Sequence, residues 1–299
     1  MSRMVVAGGT GLVGRRLVQS LLSQGVQVQV LTRRPGAAAL PAGATAHGWE
    51  DLPALLNGAD AVINLAGEGI AERRWSRARK EALRASRIES TARLVGALKA
   101  CPRPPSVLVN ASAIGFYGSR DETPVEEDGD SGLGFLPELC RAWEMEAMAA
   151  APGVRVALLR IGVVLAREGG ALPKMALPVR CFLGSKLGSG TQGLSWIHIE
   201  DLVAMLIEAA RNPAWSGPIN GTAPRPLSQE AFMRVLARRL HRPLLPVPAL
   251  LTRTATRLLL GKMAEALLLQ GAYVRPARAQ ALGFTFRFPA AEAALEDLL

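Results

Sequence analysis

The sequence is poor in the residues that build metal and disulfide sites. Its three cysteines, Cys101, Cys140 and Cys181, stand far apart. They suit neither a full disulfide set nor a CxxC metal clasp, so free thiols in a reducing compartment are expected. The three histidines, His47, His198 and His241, show no HExxH or paired-ligand spacing, and no metal site is expected. Long apolar runs are missing as well. None approaches the roughly 18 to 20 residues that cross a bilayer, which excludes a membrane-spanning helix. Met1 leads almost at once into a glycine turn at Gly8, leaving no room for an apolar export segment; a cytoplasmic location is the expectation.

Acidic residues are outnumbered, with 25 Asp and Glu against 35 Lys and Arg and a formal charge of +10. Such an excess suits nucleic acid, an acidic membrane surface or an anionic ligand. The arginines, however, are spread along helical stretches such as residues 234–242 and form no basic tail with interleaved aromatics. A solvated helix surface accounts for them, so neither nucleic acid nor a membrane is expected as partner. The expected partner is a small molecule, with a homodimer held open.

Apolar material is plentiful. Hydrophobic residues make up 49% and charged residues 20%, ample for a packed core and unlike a disordered chain. A length of 299 residues suits a large α/β unit with a smaller module attached. Residues 4–7 read as a short buried strand, residues 12–22 place Val13, Leu17 and Leu21 at helical spacing, and residues 26–31 read as the next strand. A strand-helix-strand unit of about thirty residues has the size of a right-handed parallel crossover. The alternation continues through residues 61–65, a helix within 76–99, residues 107–111, a helix around 138–150 and residues 156–160. This predicts an α/β fold of the Rossmann type, with a doubly wound parallel sheet.

Beyond Arg160, glycines such as Gly162, Gly169, Gly170, Gly184 and Gly188 mark a stretch that reads as loops, before helices near Asp201 and within residues 229–240. Residues 1–245 are expected to form the nucleotide-binding domain, with 161–245 supplying substrate-side loops and helices. Residues 246–299 are expected to form a smaller, mostly helical C-terminal module. Leu258, Leu259, Leu267, Leu268, Phe284 and Phe286 supply the apolar surface expected to seat it.

Gly8-Gly9-Thr10-Gly11-Leu12-Val13-Gly14 lies between the first strand and the first helix. A lone glycine motif is weak, but this context supplies what a dinucleotide requires: a tight turn at Gly8, close backbone approach to a pyrophosphate at Gly11, and helix-strand packing at Gly14. The helix N-terminus then offers unpaired N–H groups to the phosphates. The second strand ends Leu31-Thr32-Arg33-Arg34, where an NAD-binding unit places an acid on the ribose 2′-OH. An arginine there can donate two parallel hydrogen bonds to a 2′-phosphate. NADP, as NADPH, is therefore the expected cofactor.

The glycine turn, Asn64-Leu65-Ala66-Gly67 and Arg160-Ile161-Gly162 resemble the atypical extended short-chain dehydrogenase/reductases, the NAD-dependent epimerase/dehydratases. Arg74-Trp75, Ser86-Arg87-Ile88-Glu89-Ser90-Thr91, Trp143-Glu144, Leu187-Gly188-Ser189-Gly190 and Trp196-Ile197-His198-Ile199-Glu200-Asp201-Leu202 narrow this to the YfcH-like epimerase family proteins, including a C-terminal module from about Val247. The resemblance implies that Thr10, Gly11, Leu12 and Val13 wrap the pyrophosphate and that Thr32 and Arg33 hold the 2′-phosphate. It further implies that Leu65 and Ala66, with Gly67 beside them, line the adenosine and its ribose, that Arg87 approaches the cofactor, and that Val164 lies near the nicotinamide.

Active members of that superfamily use a Tyr-x-x-x-Lys pair, in which the lysine lowers the phenol's pKa and the tyrosine transfers the proton. Here the only tyrosines, Tyr117 and Tyr273, are followed four residues on by Asp121 and Ala277. Ala111-Ser112-Ala113 resembles the segment carrying the superfamily's catalytic serine, so Ser112 is a candidate to hydrogen-bond substrate. Tyr117-Gly118 resembles a tyrosine-glycine step that is not the proton donor of extended members. Tyr117 is a candidate substitute acid, weighed against loop packing, since an unassisted phenol titrates near 10. His198 and Asp201 read as loop and helix-start anchors, and the acidic stretch 121–130 as a solvated loop. Two functions remain open: an NADP-dependent oxidoreductase or epimerase with altered acid/base residues, and a non-catalytic NADP-binding sensor or scaffold with a protein partner.

Overall fold

The computed structural model describes residues 2–261, 263 and 265–299. In chain order its strands are β1 (Arg3–Ala7), β2 (Gln27–Leu31), β3 (Thr45–His47), β4 (Ala61–Asn64), β5 (Val107–Ala113), β6 (Arg155–Ile161), β7 (Val163–Leu165), β8 (Gly193–Leu194), β9 (Trp196–His198), β10 (Gly217–Gly221) and β11 (Leu227–Ser228). The helices are α1 (Leu12–Ser23), α2 (Leu52–Leu56), α3 (Arg77–Lys99), α4 (Phe135–Met148), α5 (Leu172–Arg180), α6 (Ile199–Arg211), α7 (Gln229–Arg239), α8 (Ala249–Leu260), α9 (Ala277–Ala281) and α10 (Ala291–Leu298).

Seven strands form one parallel sheet in the order β10-β6-β5-β4-β1-β2-β3. β1 and β4 are buried along most of their length because helices cover both faces, which is why they read as unbroken apolar runs. On one face α1 and α6 contribute Leu17, Leu21, Leu202 and Leu206; on the other, α2, α3 and α4 contribute Leu55, Leu94, Leu98 and Ala147. Ala7 lies opposite both Leu31 and Asn64, so β1, β2 and β4 end level, while β5, whose Asn110 lies opposite Asn64, runs on to Ala113. The chain runs from β1 outward to β3 and then returns to β4 on the other side. The crevice between β1 and β4 is thus the topological switch point where ligands of such sheets bind.

The expected fold class is the one observed, with the two edge strands, the short helices α2 and α5 and the small strand pairs beyond what the pattern indicated. β3 is three residues of mixed polarity, and β10 is Gly-Pro-Ile-Asn-Gly, a composition that disfavours strands. Pairing with β6, and a Glu127 carboxylate that accepts from the Asn220 N–H at 2.9 Å, hold β10 in place. The glycine-rich stretch after Arg160, expected as loops, contains α5 and the two-stranded β7-β9 pair.

The C-terminal segment is seated by polar anchors as much as by leucines. Asp201 accepts hydrogen bonds from the Arg287 and Phe288 N–H groups at 2.8 and 2.9 Å. Ser195 donates to the Ala272 carbonyl at 2.8 Å and accepts from the Val274 N–H at 2.7 Å. Ala291, Leu295 and Leu298 of α10 pack with Phe232 and Leu236 of α7. Phe284 meets Trp215 and Phe286 edge-on, at 5.7 and 4.9 Å. Leu267 and Leu268 are half-buried. Leu258 corrects the expectation: it is 77% exposed, because it lies on the outward face of α8. The Leu259 side chain lies outside the described residues.

His198 joins these anchors. Its Nδ1 accepts from the Glu200 N–H at 3.1 Å, capping α6, its ring stacks on Phe288 at 3.8 Å, and its Nε2 faces Asp297 at 3.3 Å. Burial holds the imidazole below its ordinary pKa of 6.5, although Asp297, Asp201 and Glu200 pull the other way. As pH falls, the unfolded chain therefore takes up this proton before the folded one does. The stability involved is complete above pH 6.5 and is lost as pH drops from there through the folded value. Asp201, raised by burial, works in the opposite sense. Urea midpoints are expected to fall between about pH 7.5 and about pH 5.5. His198→Asn, which can still cap α6, is expected to flatten the fall; an unaltered slope in the variant contradicts the assignment.

Candidate functional site

Gly8 follows β1 with φ +81°, in the left-handed region, and a Cβ there would stand 2.6 Å from the Leu65 carbonyl oxygen. The turn after β1 therefore presses directly on the loop after β4. Gly14, one turn into α1, would place a Cβ 2.2 Å from the Gly8 carbonyl oxygen, so only glycine lets the helix lie this close to the turn. Gly11 differs. It is the extended N-cap of α1, and a Cβ there would meet only the Gly8 oxygen at 3.5 Å, so the space before it is open. No side chain caps α1 and no acid occupies its first turn, which leaves the positive end of the helix facing that space. Thr10 lies in the turn, its carbonyl accepting from Arg15 at 2.8 Å.

Leu12, Val13, Leu65 and Val164 are half-buried against the core on the α1 face, and Ala66 against the core on the other. Val164 lies on β7 opposite Ile197 of β9. Gly170 comes close to both Leu12 and the Val164 carbonyl, since a Cβ there would lie 3.1 and 3.4 Å from them. Beyond β2, Thr32 continues the pairing with β3 through its N–H to the His47 carbonyl, 2.9 Å. Arg33 is 79% exposed, with its guanidinium 3.7 Å from a Glu68 carboxylate oxygen. Arg87 sits beneath the loop after β4 and packs against Gly67. It donates to the carbonyls of Leu83 and Glu68 at 3.1 and 2.9 Å and lies 5.3 Å from the Trp143 ring centre. Burial pulls its pKa below the ordinary arginine value.

Two buried polar networks support the crevice. In the first, Asn64 donates to Asn110 at 2.6 Å and to Thr91 at 3.0 Å, and Trp143 donates to the same Thr91 hydroxyl at 3.0 Å. The Asn64 oxygen accepts from the Ala66 N–H at 3.2 Å, which fixes the start of the loop after β4. The second network holds both candidate catalytic hydroxyls. Ser112, 3% exposed, donates to Glu144 at 2.6 Å. Glu144 takes a bidentate pair from Arg160, each contact 2.9 Å. Arg160 donates to the Tyr117 hydroxyl at 2.9 Å, and that hydroxyl donates to Asn220 at 2.7 Å. Tyr117 is fully enclosed and burial raises its pKa, despite the nearby Arg160. Cys140 beside them is pushed up to about 12 by burial and by Glu144, so it is a protonated thiol.

The sequence pointed to Ser112 and Tyr117 as site residues; it offered Asn64, Glu144 and Arg160 only as parts of the resembling motifs, and Asn110 and Asn220 not at all. A signal was available for three of them: Arg160 near the end of the apolar strand β6, Asn64 closing the apolar strand β4 and Asn110 inside the apolar strand β5 are polar groups that burial obliges to find partners. Among the described residues no group of three His, Cys, Asp or Glu side chains is placed to hold a metal. No helix among them is long and apolar enough to cross a membrane.

Residues 4–220 match the model of the NAD dependent epimerase/dehydratase family, and residues 247–298 match a domain of unknown function, DUF1731. The chain is 41% identical to the chloroplastic epimerase family protein SDR39U1 homolog of Arabidopsis thaliana, over 98% of this chain and 86% of that protein. It is 35% identical to epimerase family protein SDR39U1 of Bos taurus, over 99% of each. The crystal structure of human epimerase family protein SDR39U1 (isoform 2) with NADPH superposes with a TM-score of 0.90 at 33% identity, covering 99% of this chain and 98% of that one.

Proposed function

Because the chain belongs to the NAD dependent epimerase/dehydratase family, we propose that it holds NADP(H) in the crevice between β1 and β4 and acts as an oxidoreductase or epimerase on a small molecule. The observation that carries this reading is the glycine turn, whose open face at Gly11 adjoins the uncapped end of α1 and whose neighbouring strand β2 is followed two residues on by Arg33, with no acid beside it in sequence. Thr10, Gly11, Leu12 and Val13 would wrap the pyrophosphate, with Gly8 and Gly14 making the turn. Thr32 and Arg33 would take the 2′-phosphate. Leu65, Ala66 and Gly67 would line the adenosine, Arg87 would hold their loop from beneath, and Val164 would flank the nicotinamide. When bound, the cofactor supplies or accepts a hydride. The NADPH in the human relative's structure supports the choice of cofactor, and three unpaired cysteines suit a cytoplasmic setting.

Charge-assisted hydrogen bonds contribute roughly 1.5 to 3 kcal/mol, so Arg33→Ala is expected to weaken NADPH binding by about one to two orders of magnitude and to leave NADH nearly unchanged. Calorimetry of the variant with both cofactors checks this; equal losses for both would remove Arg33 from the 2′-phosphate.

A specific observation favours the second reading, a non-catalytic NADP(H) sensor or scaffold. Ser112 and Tyr117 direct their hydroxyl protons to Glu144 and Asn220, and no Tyr-x-x-x-Lys pair is present. General acid/base catalysis contributes roughly two to four powers of ten. Little or no activity is therefore expected on the usual sugar-nucleotide and short-chain alcohol substrates. Consumption of NADPH with a panel of carbonyl compounds separates the readings. Turnover that survives in both Ser112→Ala and Tyr117→Phe would remove these residues as acids, and brisk turnover of a UDP-sugar would overturn the expectation of weak activity.

A further inference from the structure

Glu68 follows the loop residues that would line the adenosine, and α3 fixes it at three points. Its N–H donates to the Ser86 hydroxyl at 3.2 Å, its carbonyl accepts from Arg87 at 2.9 Å, and one carboxylate oxygen is paired with Arg79, a side chain only 11% exposed. Arg79 is itself held by the Gly69 carbonyl at 2.6 Å. With one oxygen committed, the other faces the Arg33 guanidinium across 3.7 Å. That is too long for a hydrogen bond and within the range of an ion pair. A carboxylate thus reaches the end of β2 from β4's loop, although β2 itself ends without one.

We propose that Glu68 sets cofactor selectivity by competing with the 2′-phosphate for Arg33, so that the chain's preference for NADPH over NADH is smaller than Arg33 alone would give. The inference rests on the reading of Arg33 as the 2′-phosphate ligand. Among the described residues Arg33 is tethered at its exposed tip by Glu68 alone, so the phosphate can draw it away, but it must do so against a fixed negative charge. NADH, which lacks that phosphate, leaves the Arg33–Glu68 pair intact and is indifferent to it. Arg79 keeps one side of the carboxylate neutralised, which limits the penalty instead of excluding the phosphate.

The test is calorimetric titration of NADPH and NADH into the full-length protein and its E68Q, R33A and doubly substituted forms, with thermal unfolding of each free protein as a check on folding. An exposed ion pair of this kind couples weakly, so E68Q is expected to tighten NADPH by about twofold to fivefold, more at low salt, and to leave NADH within error. In the R33A background the gain is expected to vanish. Should E68Q unfold, E68D, which keeps the Arg79 pair but retracts from Arg33, is expected to give a smaller gain in the same direction. An unchanged NADPH/NADH ratio in E68Q, a loss of both cofactors alike, or a gain that persists without Arg33 overturns the proposal. If R33A alone leaves the ratio unchanged, the reading of Arg33 is what has failed; if R33A abolishes the preference while E68Q does nothing, only the role of Glu68 has.

Discussion

Truncation after Pro246 is expected to give insoluble or molten protein. The removed residues include Val274, Ala279, Phe288, Leu295 and Leu298, all buried in the full chain. Burial of such side chains is worth roughly 1.5 to 3 kcal/mol for the larger ones, against a total stability of about 5 to 15 kcal/mol for a typical domain. The polar side is as costly. Asp201 would lose both amide donors, Ser195 both backbone partners, and the apolar faces of Phe232 and Leu236 would meet water. Solubility, urea unfolding and NADPH titration of residues 1–246 check this. A soluble truncate that unfolds cooperatively and binds NADPH contradicts it.

Glu144→Ala is expected to destabilise the fold by about 3 to 5 kcal/mol, because it leaves the buried Arg160 cation without its carboxylate. The Tyr117 hydroxyl, the Glu127 carbonyl and the Phe116 ring, 3.5 Å from the guanidinium carbon, stay in place but carry no compensating full charge. The network joins β5, α4, β6 and β10, so the loss is felt across the end of the sheet where the site lies. Replacing both partners, as Glu144→Leu with Arg160→Met, is expected to recover a substantial part of the stability, since no unpaired charge then remains. Urea unfolding measures both. A loss under about 1 kcal/mol in the single variant would mean that the pair is solvated and the network is not the support described.

Local rules made much of this legible. The parallel sheet followed from short apolar strands alternating with helices, and the turn at Gly8 to Gly14 from glycine spacing set between a strand and a helix. Those features depend on neighbours within about thirty residues. What escaped depends on partners far along the chain. β10 is poor in strand-forming residues and exists through pairing with β6. Glu144 meets Arg160 and Ser112 only because α4 packs beside β5 and β6. Leu258 looked like core because leucines cluster in that helix, but which face of α8 is covered is set by the body it packs on. Asp201 and His198 were legible as anchors at a helix start; that what they anchor is the chain near Phe288 was not.

On the proposed reading, the crevice beneath Gly8 and beside Arg33 selects a 2′-phosphorylated dinucleotide. The most direct measurement is calorimetric titration of the wild-type protein with NADPH and NADH under one buffer and salt condition. NADPH is expected to bind at least about tenfold more tightly, the smaller end of what a charge-assisted contact to one phosphate contributes. Equal affinity for the two, or tighter binding of NADH, contradicts the account.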